Sequence, residues 1–260
     1  MNLGIDIGNY NVKTSEGVIF KSAVSENIEY GNKFDKIEID SKTYYLGTGR
    51  LEIDLGLPIK QYNSFKDELI NKLINKTYDV TFNDIRRRIR ITDVQVFPES
   101  VSGIIAHFNS TLFDVKHKDI VSVDIGGKTT DIALIKNKKV IQSSQVNTGT
   151  IDIYNCIKNS LEAKYFDAKI NLDDIKDYLE KGFYYKGERQ NINFAIKSCN
   201  DLFKEVYTEL NLNYPINTSA VVFQGGGMDL LNSVLSKKIS NIIKIDDLFA
   251  NARGYKSLLK

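Results

Sequence analysis

Apolar and polar positions alternate from the start of the chain. LGIDIG reads as a β-strand, and NVKTSEGVIF and IEIDSKTYYLG continue the pattern with Gly and Asn between them. IDLGLPI predicts another strand that closes at Pro58. Ser64, three residues before Asp67 and ahead of ELINKLI, has the spacing of a capping box and predicts a helix of about three turns. YDVTF and RIRITDVQVF return to strand patterning, and after Pro98 the segment ESVSGIIAHFNSTLF carries apolar residues at helical spacing. Residues 119–135 then predict strand, turn and strand. Helix dominates after that hairpin: TIDIYNCIKNSLEAKYF, a segment starting near Asp173 with Gly182 as its C′ residue, and NFAIKSCNDLFKEVYTEL. SAVVFQGGGMDLLNSVL predicts strand, glycine turn and helix.

No short repeat and no low-complexity linker interrupts this order. One longer echo does: LGIDIGNYNVK at 3–13 resembles VSVDIGGKTTD at 121–131, matching Asp6 with Asp124, Ile7 with Ile125 and Gly8 with Gly126. In both, an Asp ends a strand and a Gly follows two residues later. That geometry sets a carboxylate beside a turn where backbone N–H groups can approach an anion. A carboxylate repels phosphate directly but can hold Mg²⁺ through the ion's retained waters, while amides, Thr129, Thr130 and Lys13 meet phosphate oxygens. Asp6, Asp124 and Asp131 are the metal-side candidates. GGKTT invites comparison with a Walker A loop, yet Ser122 stands where the first Gly is required and DIALI is strand-patterned, so a hairpin turn is expected. The third turn, Gln224-Gly225-Gly226-Gly227, precedes a helix and suits a nucleoside or its α-phosphate.

Composition narrows the classes. At 260 residues and 42% hydrophobic the chain can build a substantial core, as one large domain or two small ones, and a net charge of +2 gives no reason to expect direct nucleic-acid binding. The two cysteines, Cys156 and Cys199, form neither a CxxC nor a disulfide framework. No signal-like start or membrane-length apolar run is visible, which predicts a soluble intracellular protein. His107 and His117 lack companions at metal-ligand spacing, and Ser100, Ser102 and His107 make no hydrolase signature. The run Arg86–Arg90 reads as the solvent face of a strand pinned by Ile89 and Ile91.

Taken in order, DIGNYNVK, VFPESVSG, VDIGGKTTDIALI, FQGGGMDLL and NARGYKSL resemble the five nucleotide motifs of the actin, Hsp70 and sugar-kinase superfamily. IDIGNYNVK, FPES, VDIGGKTTD and ANARGY look most like ParM-type bacterial actins, the plasmid-segregation filament proteins. The resemblance spans nearly the whole chain. It implies an α/β actin-like fold of duplicated, ribonuclease H-like halves with nucleotide in the cleft between them. The first half would be 1–118, its upper subdomain reduced around 20–50. The second would be 119–260, with a helical insertion around 165–215 and a C-terminal segment, 246–260, packing back on the first half.

Carried over by position, Asp6, Gly8, Asn9, Asn11 and Lys13 would form the first phosphate loop. Asp124, Gly126, Gly127, Thr129 and Thr130 would form the second, with Asp131 near Mg²⁺. Glu99 would orient or activate the attacking water, with Asp124 as the second catalytic carboxylate. Gly225, Gly226 and Gly227 would flank the nucleoside, and Lys181 would border purine and ribose. The function implied is a slow ATPase, or GTPase, that polymerises and positions plasmid or phage DNA in the bacterial cytoplasm through a DNA-bound adaptor of ParR type. A small-molecule kinase of the same superfamily and a filament-incompetent nucleotide-binding regulator are the alternatives. One departure stands out: ParM-like proteins carry a helix between TYYLGTGR and the strand ending LGLP, where only Leu51 to Asp54 bridge here, so a subdomain is trimmed or an internal piece is lacking.

Overall fold

A computed structural model describes residues 2–8, 11–21, 49–82, 85–104, 107, 119–137 and 139–258. The IEIDSKTYYLG strand, most of the segment 20–50, Asn9 and His117 lie outside the described residues. In chain order the first sheet is built from β1 (Asn2–Ile7), β2 (Asn11–Thr14), β3 (Ile19–Lys21), β4 (Gly49–Leu57), β5 (Thr77–Phe82) and β6 (Ile85–Pro98), with helix α1 (Ile59–Leu73) between β4 and β5. The second is built from β7 (Ile120–Ile125), β8 (Thr130–Lys136), β9 (Lys139–Val146), β12 (Ala220–Gln224) and β13 (Ile242–Lys244). The short strands β10 (Phe183–Tyr185) and β11 (Glu188–Gln190) pair with each other outside both sheets.

The strand orders are β3-β2-β1-β4-β6-β5 and β13-β12-β7-β8-β9. Read from the opposite edge, the second becomes β9-β8-β7-β12-β13 and repeats the first five positions of the first, β5 being an added edge strand. In each, an antiparallel meander of three strands leads into two parallel ones: β1 pairs β4 and β4 pairs β6 in parallel, as β7 pairs β12 and β12 pairs β13. The sequence echo therefore has a topological counterpart, and a helix follows the fourth strand in both sheets: α1 after β4, and Met228–Leu235 after β12. Parallel strands need such crossovers.

Period-two alternation decides which side chain goes where. Val121, Val123 and Ile125 of β7, Ile132 and Leu134 of β8, and Val221 and Phe223 of β12 face one core, under the helices Thr150–Lys164, Asn200–Asn213 and Met228–Leu235. Their neighbours Ala133, Ile135, Ala220 and Val222 face another, together with Ile59, Val101 and Ile104. A sheet covered on both faces needs near-continuous apolar strands, which is why AVVF does not alternate with polar residues. Each such buried Val, Ile or Phe contributes about 1.5–3 kcal/mol of transfer free energy. Ile53, Leu55, Ile91, Val94 and Val96 make a third core, against which Tyr62, Leu69, Ile70 and Leu73 of α1 pack.

Two expectations from the sequence are corrected. The helix of 59–73 starts directly after Pro58, whose carbonyl accepts the N–H of Gln61 at 2.8 Å and Tyr62 at 3.0 Å, so Ser64 lies in its second turn and not at its cap. Proline fixes its own φ and suits the helix entry, a stronger start signal than the Ser64 spacing. NFAIKSCNDLFKEVYTEL is two helices, Asn193–Ser198 and Asn200–Asn213, broken at Cys199. Gly182 does follow the helix Ile175–Lys181, at φ +99°. Arg88 and Arg90 are exposed, Ile91 is buried, and Arg88 pairs with Asp79 at 2.9 Å. Among the described residues no helix is long and apolar enough to cross a membrane.

The helix Ala250–Ser257 lies on β1 and β4 and presents Lys256 to Glu16 at 2.6 Å. Asp54, in the middle of β4, is 1% exposed and its Oδ2 has no hydrogen-bond partner among the described residues. Burial raises its pKa to about 7, Asp93 and Glu52 add to the rise, and Lys256 opposes it. An acid raised in this way binds more protons folded than unfolded between about pH 4 and 7, so its contribution to stability is full below that window and is lost as pH rises through it. Urea denaturation should show the protein losing on the order of 2 kcal/mol relative to Asp54→Asn between pH 4 and pH 8. Parallel pH profiles for the two proteins would refute this.

Candidate functional site

The described ends of the two echoed turns are alike. Gly8 N–H donates to Asn11 O at 3.1 Å and Gly126 N–H to Thr129 O at 2.9 Å, closing four-residue connections between Ile7 and Val12 and between Ile125 and Thr130. The second is a hairpin turn, as the DIALI pattern predicts. They face a cleft of about 350 Å³, within the range of small-ligand sites. Asp6, Gly8, Asn11 and Lys13 line it from the first sheet, and Asp124, Gly126, Gly127, Thr129 and Asp131 from the second. Glu99 enters from the end of β6, and Gly225 and Gly226 from the third turn.

Strand register delivers the charges. Asp6 stands opposite Lys13 across β1 and β2, with Lys13 Nζ 3.2 Å from Asp6 Oδ2. Across β7 and β8, however, Asp124 stands opposite Asp131, and like charges directly opposite one another are unfavourable. Neutral amides support them. Gln224, beside Asp124 in the β7/β12 register, donates Nε2 to Asp124 Oδ2 at 3.0 Å, and Asn251 Nδ2 reaches the same oxygen at 2.7 Å. Gln145 Nε2 donates to Asp131 Oδ1 at 2.9 Å.

Three acids are displaced upward. Burial lifts Asp131 to about 6, with Asp124 adding to it. Burial likewise raises Asp124, helped by Asp6 and opposed by the Asn251 and Gln224 donors and by Lys13. Glu99 is pushed well above the carboxylate range by burial and then by Asp6, Asp124 and Asp131, against Lys13. Its position is set from both sheets: Glu99 N–H donates to Leu57 O at 2.9 Å, and the next residue, Ser100, held at φ +65°, accepts Ser122 Oγ at its carbonyl at 2.6 Å. Ser122, the residue that rules out a Walker loop, is thus a tie between β7 and the Glu99 turn.

Gly225 is held at φ +89°, where a Cβ would lie 2.5 Å from Asp124 Oδ1 and 2.5 Å from Ile125 O. Only glycine passes between the third turn and the Asp124 carboxylate. Gly227 sits instead at the helix start, against Ile125 and Thr150, and is not among the residues lining the cleft. Thr130 is also turned away, its fully buried hydroxyl donating to Thr148 O at 2.7 Å. Lys181 points outward to Asp177 at 2.9 Å. From the same helical stretch Asp173 and Lys176 line the cleft, beside Tyr154 and Leu248. Their three-residue spacing, one helical turn, was the available signal. Gln224 and Asn251, whose roles the motifs did not disclose, were legible only as polar residues closing an apolar strand and opening NARGY.

Six carboxylates and two ammonium groups, Lys13 and Lys176, are among the described residues lining this cleft. A polyanion alone would be repelled. An all-oxygen donor set fits a hard cation such as Mg²⁺, and no three His, Cys, Asp or Glu side chains among the described residues are placed to hold an ion between them.

Known proteins share this architecture. The family described as archaeal actin homologue MreB-like, C-terminal, matches residues 122–237. No curated protein matches the chain. Among solved structures, Ta0583, an archaeal actin homologue, is 20% identical, with 98% of each chain covered and a TM-score of 0.78. Its complex with ADP gives 19% identity, 98% coverage of each chain and a TM-score of 0.79. A 15-stranded ParM filament from Clostridium botulinum gives 20%, 98% of this chain, 97% of that one and 0.73. The fold of this chain is actin-like. Against Ta0583 the match runs nearly end to end in both chains, so relative to that protein no large internal piece is lacking.

Asn251→Ala removes the shorter of the two amide donors to Asp124. At pH 8 it should lower stability in urea by about 1–3 kcal/mol, the cost of leaving a buried charged acceptor short of a partner. An unchanged urea midpoint would show that Asp124 does not depend on that donor.

Proposed function

We propose that this actin-fold chain binds a purine nucleoside triphosphate, ATP or GTP, with Mg²⁺ in the cleft between two halves, 1–118 and 119–260, and hydrolyses it slowly as it assembles into filaments. One observation carries the reading: two strands that end in Asp-Ile, each followed by a Gly whose N–H bonds the carbonyl three residues on, face one cleft into which a third, glycine-rich turn also opens. A phosphate chain fits between the first two and a nucleoside against the third. The ADP complex of Ta0583 supports the choice of ligand.

The residues divide the work by charge. Lys13 meets phosphate oxygens, with Asn11 and Thr129 as neutral donors beside it. Asp6, Asp124 and Asp131 would hold the cation, a hard ion suited to carboxylate oxygens. Bound there, the ion would neutralise charge developing on the transferred phosphoryl group. Glu99 sits between both turns. Burial and the neighbouring acids raise its pKa above that of an ordinary carboxylate, which makes the ionised group a stronger base for aligning and deprotonating a water. Gly225 and Gly226 let the nucleoside lie against backbone, and Asp173 and Lys176, rather than Lys181, border the base and ribose.

Self-association is supported by the ParM filament and by a second filament, Alp12, matched at TM-score 0.67 and 16% identity. The finer reading is a bacterial cytoplasmic filament that positions plasmid or phage DNA through an adaptor of ParR type, without touching DNA itself. The test is sedimentation of the purified protein with Mg²⁺ and ATP, GTP, ADP or no nucleotide. Pelleting should require a triphosphate, and failure with every triphosphate across salt concentrations would sink the filament reading. Glu99→Ala should slow phosphate release about 10²-fold and lengthen filament lifetime; unchanged release would remove Glu99 from the chemistry.

A further inference from the structure

Tyr255 is the largest fully buried side chain among the described residues, and none of the roles assigned in the cleft uses it. Its ring stacks on Phe97, with centroids 6.0 Å apart and planes 4° from parallel. Its hydroxyl has no hydrogen-bond partner among the described residues. The location of that hydroxyl is defined by a glycine: a Cβ built on Gly56 would lie 2.0 Å from Tyr255 Oη and 2.9 Å from Glu99 Cγ. The absent side chain of Gly56 is thus the space where the phenol and the Glu99 side chain converge. Asp6, Glu99, Asp124 and Asp131 all oppose ionisation of the phenol, as burial does, so it stays a donor.

A buried hydroxyl without a partner is a cost to folding, and a phenylalanine ring would keep the stacking without that cost. The feature makes sense if the O–H is satisfied in the working state. We propose that Tyr255 is a positioning residue: its hydroxyl donates to the Glu99 carboxylate, directly or through one buried water, and holds it in the orientation that aligns the attacking water. The inference rests on the reading of Glu99 as the acid that aligns that water. Around Glu99 the charged groups are Asp6 of β1, Lys13 of β2, Asp124 of β7 and Asp131 of β8. Lys13 is held to Asp6. Tyr255, from the helix Ala250–Ser257, adds a neutral donor from the side of Gly56.

The decisive comparison is Tyr255→Phe, Glu99→Gln and the double variant, with nucleotide affinity and single-turnover hydrolysis measured separately. Tyr255→Phe should fold, melt at least as high as the parent, and bind Mg-nucleotide with unchanged Kd, while hydrolysis falls about tenfold. 3-Fluorotyrosine at position 255, which keeps the O–H, should restore the rate. On the Glu99→Gln background, Tyr255→Phe should cost nothing further, because it acts only through Glu99. Parental hydrolysis by Tyr255→Phe beside a slow Glu99→Gln would overturn the proposal. So would a further tenfold loss in the double variant, or a loss of affinity and stability that accounts for the rate. Parental hydrolysis by Glu99→Gln would instead overturn the role given to Glu99, and the proposal with it. Should Tyr255→Phe not fold, Gly56→Ala decides: its methyl occupies the shared space, and unchanged turnover in a folded Gly56→Ala protein would refute the contact.

Discussion

Everything at the centre of this molecule answers to one electrostatic constraint: acids brought by strand register to a common cleft with too few cations to neutralise them. Asp6, Glu99, Asp124 and Asp131 cannot relax apart, because each is fixed by a ladder or by the backbone leaving one. Burial first, and the neighbouring acids after it, raise the pKa values of Asp124, Asp131 and Glu99. The cost is offset elsewhere, by a second sheet buried on both faces and by a continuous core under three helices. The site keeps its charge because the scaffold can hold it, and a ligand that brings positive charge to the cleft is stabilising in proportion to how much of that repulsion it relieves.

The duplicated topology makes the asymmetry of the two hairpins informative. A glycine N–H bonded to the carbonyl three residues on closes both, and the same strand position carries Asp6 and Asp124. Across the ladder, however, Asp6 faces Lys13 and Asp124 faces Asp131. One jaw is therefore close to neutral and offers an ammonium, while the other is doubly acidic and supported by amide donors. A ligand that is anionic along one edge and carries a hard cation along the other matches such a pair. Two identical jaws would favour one charge type only. The difference of a single residue across each ladder thus converts a structural repeat into a polarised cleft.

The parts of this arrangement that depend on short-range pattern could be read from the chain. Strand alternation, the glycine turns and the Asp-Ile-Gly echo all have local causes, and they located both hairpins and the third turn. What escaped depends on neighbours distant in sequence. Gln224 and Asn251 lie 100 and 127 residues from the Asp124 they support, and nothing local marks them as its donors. Thr130 illustrates the reverse error: the hydroxyl is right for phosphate, but the strand pleat turns it to Thr148 O. In the helical stretch of Lys181 the turn that meets the cleft carries Asp173 and Lys176, while Lys181 is bonded locally to Asp177. Pro58 overrode the Ser64 signal because a helix starts where the chain can first turn inward, not where the best cap residue stands.

The position of Glu99 ties the two sheets together. Its own N–H is anchored to Leu57 at the end of β4 in the first sheet, while the carbonyl of the following residue is anchored to Ser122 on β7 in the second. Ser100 adopts a left-handed backbone to make this second contact, a conformation that costs on the order of 1 kcal/mol for a residue with a Cβ. A shift between the sheets cannot leave the Ser100–Ser122 bond, the Leu57 bond and the backbone at Glu99 all unchanged, because no flexible residue separates the two anchors. The backbone that carries Glu99 is therefore tied to how the two sheets sit relative to each other. Under the proposed function, a ligand that bridges both hairpins would act on that same coordinate, and so on the backbone that carries Glu99.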